Sequence, residues 1–109
     1  MGPHMTEFDE VLGMDREMAF EAVRQLPFVA PLNDGDVAFW STEGSGHVST
    51  DLETGESFAR LAIDVARSFD LPILIAFVLR DIAKAGRFTG LEAGFIAVIA
   101  SAARAGSMN

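Results

Sequence analysis

The sequence predicts an α+β fold: a short antiparallel β-hairpin packed against three main helices, with a short helical segment ahead of them. Three observations carry this expectation. Residues 37–42 are rich in strand formers (Val37, Phe39, Trp40, Thr42) and lie between two turn signals. Three stretches of helical periodicity follow, over 54–69, 70–85 and 89–105. Pro72, Gly86 and Gly106 fall at their borders. An all-α fold is the alternative, should 37–50 be only a long loop.

Residues 1–4, with His4, read as an expression-tag remnant ahead of Met5, leaving 5–109 as one globular domain. Thr6 caps a short helix over 6–13 that Gly13 closes. Asp15 caps a second, running to about Gln25, where Pro27 ends it. Leu26 to Leu32 holds two prolines and reads as extended. Asn33-Asp34-Gly35-Asp36 is a turn signal.

Residues 37–50 are expected to form the hairpin, turning at Glu43-Gly44-Ser45-Gly46 and returning over His47–Thr50. Alternation would put Phe39 and Trp40 on opposite faces. Thr54 and Gly55 open the next helix, with Phe58, Leu61, Ile63 or Ala62, Val65 and Phe69 as its apolar stripe. Asp70 and Pro72 restart a helix to Ala85. Residues 73–79 could equally be a buried strand, but Arg80 to Lys84 continue a helix naturally. Thr89-Gly-Leu-Glu92 matches a capping box for the last helix. Ala93, Ala97, Ser101 and Ala105 form a ridge of small residues, with Gly90 and Gly94 as a neighbouring row, so another helix can approach closely.

Composition narrows the chemistry. The chain has 109 residues, no Cys, and a net charge of −8. No thiolate nucleophile, thiolate-bound zinc or iron–sulfur cluster is possible without Cys. Residues 1–56 hold twelve acids and two bases, and residues 57–109 hold four acids and six bases. The acidic front repels nucleic acid phosphates and anionic membranes. No apolar run approaches the ~18 residues of a membrane span, and no signal peptide is visible, which suggests a cytoplasmic protein.

No catalytic constellation and no metal or cofactor site emerges. Ser45 and His47 are too close in sequence to make a nucleophile and base, and Gly44-Ser-Gly46 is neither a nucleophile elbow nor a dinucleotide fingerprint. Asp64 and Asp81 have arginine neighbours and read as local ion pairs. The expectation is a non-enzymatic interaction or regulatory module acting as a homodimer. The last helix is apolar nearly all round, and the open edges of a hairpin invite pairing with a second copy. Trp40, Phe95, Ala97, Ile99 and Ser101 are the expected self-association residues. The alternative is a small anionic-ligand-binding domain using Arg60, Arg67, Arg80 and His47.

Overall fold

The computed structural model describes residues 16–107. The first helix, α1, is Arg16–Arg24. Two short strands follow, β1 (Ala30–Pro31) and β2 (Val37–Ala38). Three longer helices complete the fold: α2 (Val48–Ser68), α3 (Ile73–Ala85) and α4 (Gly90–Ala102). A π-helical turn, Ala103–Ser107, extends α4. The α+β architecture is the expected one, and residues 73–79 are helical. The expected helix over 6–13 lies outside the described residues.

The hairpin sits earlier than expected. Val37 pairs antiparallel with Pro31, and Ala38 with Ala30. Asn33 to Asp36 therefore make its turn. Gly35 has φ +89°, which a side chain would strain. The Leu32 N–H donates to the Asp36 carbonyl at 2.9 Å, and the Asp36 N–H to the Asp34 carboxylate at 3.0 Å. Residues 48–50, expected as part of a return strand, instead open α2 six residues before the expected start. Asp51 in its first turn suits the positive end of the helix dipole.

The expected open edge is also closed. The Val37 N–H donates to its neighbour Asp36, and the Phe39 N–H to the Asp81 carboxylate of α3 at 2.8 Å. An edge whose donors are taken by carboxylates is a poor template for a second strand. The chain leaves strand geometry after Ala38, so alternation ceases to apply. Phe39 and Trp40 are both buried, Phe39 against Phe77 and Trp40 against Phe28, Phe58 and Phe95.

The α2–α4 pair dominates the packing. A Cβ on Gly55 would lie 2.1 Å from the Leu91 carbonyl oxygen, and one on Gly94 would lie 2.2 Å from that of Leu52. Gly90 faces Val48 and Asp51 in the same way. Rising numbers on one helix meet rising numbers on the other, so the two run parallel and α3 carries the chain back between them. The expected close approach exists, but the glycine row makes it. The face that α2 buries is Asp51, Gly55, Ala59, Ala62 and Ala66, rather than the large stripe expected. Leu61 is exposed and Phe58 half-buried.

Asp70 ends α2 instead of starting α3. It occupies the left-handed region with φ 52°. The Leu71 N–H reaches the Ala66 carbonyl at 2.7 Å, and the Asp70 N–H that of Arg67 at 3.3 Å. These are the two bonds of a Schellman motif.

The glycine contact yields a prediction. Gly94→Ala forces a methyl group into a backbone carbonyl that has no rotamer with which to yield, and should destabilise the fold by about 2–3 kcal/mol. Gly46→Ala meets open space but inherits φ +91°, and should cost only about 1 kcal/mol. Urea unfolding followed by the fluorescence of the single Trp40 checks both; equal losses would refute the close contact.

Candidate functional site

Residues 39–47 have no helix or strand of their own, yet three carboxylates hold them, one from each long helix. Asp81 of α3 takes the Phe39 N–H. Glu92 of α4 takes the Trp40 indole N–H at 2.8 Å. Asp51 of α2 takes the Ser45 N–H at 3.0 Å and its hydroxyl at 2.8 Å.

Glu92 is fully buried. Its position follows from the capping box, which the sequence announces: the Thr89 side chain accepts from the Leu91 N–H, and the Glu92 carboxylate accepts from the Thr89 N–H and hydroxyl. Arg87 closes the arrangement. Its Nε donates to Glu92 at 3.3 Å, and one Nη donates to the Thr42 carbonyl and hydroxyl at 2.8 Å each. Burial pushes the Glu92 carboxyl up, but the bonds from Thr89 and Trp40 outweigh it and bring it down to about 2. Asp51 is also lowered, chiefly by the backbone and hydroxyl of Ser45.

These carboxylates are structural in what they can do. A general acid at neutral pH needs a raised pKa, and both shifts run the other way. Ser45 gives its hydroxyl proton directly to Asp51 and accepts from the backbone N–H of His47 at 3.1 Å. A triad would interpose the imidazole between hydroxyl and carboxylate. No group of three or more metal-ligating side chains forms among the described residues. No described helix is long and apolar enough to cross a membrane.

The residues expected to bind anions do not converge. His47, Arg60 and Arg67 are spread along α2, ~20 Å and ~30 Å from first to second and first to third at the helical rise. Arg80 lies on α3, bonded to Asp81 at 3.1 Å and stacked 5.0 Å over the Phe77 ring. The expected self-association residues separate as well. Trp40 and Phe95 are interior. Ala97 and Ser101 are exposed, and helical spacing puts them across α4 from half-buried Ile99.

Ile99 borders a groove that the expectations missed. It has a volume of about 360 Å³ and lies where α2 ends, α3 begins and α4 finishes. Its walls are Ile63 and Ala66 of α2, Ile75 of α3, and Ile99 and Ala102 of α4. Among the described residues its charged lining is Arg67 and Asp70, both exposed. The groove exists because α3 makes no extended contact with α4. No local sequence signal marks it, since its residues come from three helices. Compared with protein-family models, curated proteins and solved structures, the chain shows no match.

The depressed Glu92 pKa sets a pH dependence. Its stabilising effect is complete above the ordinary value of 4.5 and is lost as pH falls toward about 2. Glu92→Gln should therefore lower stability at pH 7 by about 2–3 kcal/mol and flatten the loss between pH 4.5 and 2.5. Urea midpoints for both proteins across that window are the check. Parallel curves would exclude Glu92 as the titrating group.

Proposed function

We propose that this chain is a non-enzymatic interaction module acting as a homodimer, with the groove between α2, α3 and α4 as its contact surface. The observation that carries the reading is the groove itself, an apolar surface that the other described residues leave open where α2 and α4 end and α3 begins. Apolar area covered by a partner contributes about 25 cal/mol per Å². The polar groups support the same reading from the other direction. Asp51, Asp81 and Glu92 are committed to holding the chain's own loop, and none of them lines the groove. A cysteine-free chain suits a reducing compartment, and the reading places the module in the cytoplasm.

A small anionic ligand is the second reading. Arg67 favours it, being the candidate cation that lines an apolar groove. Such a ligand would need an apolar body as well as its charge.

Native mass spectrometry over a dilution series tests both. The homodimer reading expects a dimer persisting at low micromolar concentration, and Ile99→Asp should convert it to monomer with helical circular dichroism retained. A wild-type monomer at tens of micromolar would refute it. A constant added mass, lost in Arg67→Ala, would support the ligand instead.

A further inference from the structure

We infer that the occupant of the groove is a second copy of this chain, related by a two-fold axis that sets Arg67 of each copy against Asp70 of the other. The inference rests on the homodimer reading and assigns its contacts. A two-fold axis brings one patch against itself, so that residue i meets j and j meets i. A border carrying one sign of charge would repel its own image. Among its described residues this groove carries one cation and one anion, which the axis converts into two reciprocal ion pairs.

The state of both side chains fits this. Arg67 and Asp70 are three residues apart, yet among the described residues neither side chain has a hydrogen bond or ion pair. Asp70 also sits at a costly place. Its φ of 52° suits glycine, and a side chain there costs about 1 kcal/mol. The Schellman bonds around it are backbone bonds and make no use of its carboxylate.

Ile73 is 37 % exposed and lies in sequence between the groove residues Pro72 and Ile75. It adds apolar surface beside the groove that a second copy would cover.

The test is a mixing experiment with Arg67→Glu and Asp70→Lys, read by native mass spectrometry. Alone, each variant puts like charges together twice, and its dimer should dissociate about tenfold more readily or worse than wild type. Mixed in equal amounts, they restore both ion pairs, and a heterodimer should form with an affinity within about threefold of wild type. Variants that dimerise like wild type, or a mixture that stays monomeric, would overturn the inference while leaving a wild-type dimer to be explained by another surface. A monomeric wild type would overturn the homodimer reading as well. Asp70→Gly guards against a folding artefact. It should raise the melting temperature of the monomer, by removing strain, while weakening the dimer; a dimer unchanged by it would count against the proposal.

Discussion

The fold depends on how closely α2 and α4 approach. With hydrogen in place of a side chain at Gly55, Gly90 and Gly94, backbone meets backbone. Contacts of this kind gain dispersion and Cα–H···O attraction, each individually small. They also fix register, because a shift of one turn would bring a side chain against a carbonyl. A seam of glycine and alanine has a further consequence: it supplies little apolar bulk. Ala59 and Ala62 are fully buried, but they fill little volume. The bulk comes from outside the seam. Phe28 and Trp40, both on irregular chain, pack with Phe58 and Phe95 in a cluster whose ring centroids lie 5.0–6.1 Å apart.

That dependence makes the placement of the loop residues critical, and here the acids matter. A loop without a ladder must satisfy its donors in some other way. Asp81, Glu92 and Asp51 do this at Phe39, Trp40 and Ser45. Glu92 carries the heaviest load, capping α4 and orienting Trp40 with one carboxylate. Burying a charge is costly, and several donors are needed to offset it. Thr89, Trp40 and Arg87 supply them, and no buried side-chain N or O atom is left without a partner among the described residues.

What could be read from the sequence follows from the range of the interactions. The Thr89–Glu92 box, the Gly86 terminus and the turn at Asn33–Asp36 are local, and each appears where its residues announce it. The start of α2 was hidden, because Gly55 looks like a helix opener when its task is to admit Leu91. The hairpin was misplaced for a related reason. Strand formers at 39–42 read as a strand, whereas their residues are pulled into the core by carboxylates 42 and 52 residues away. Trp40 read as an exposed anchor only while alternation was assumed. The groove had no local signature, although Arg67 and Ile99 were each singled out for other reasons.

Why the groove stays open follows from the same constraint. The parallel α2–α4 pair spends the small face of α2 on α4. The return helix α3 begins at the Schellman corner and lies against α2. It makes no extended contact with α4, and the groove lies between its first turn and the last turns of α4. α1, with nine residues, packs on α2 and adds little there. Among the described residues, this corner has apolar walls and the side chains of Arg67 and Asp70, neither with a hydrogen bond or ion pair. Asp51, Asp81 and Glu92 are spent on holding the loop, whereas the carboxylate of Asp70 holds no other described side chain.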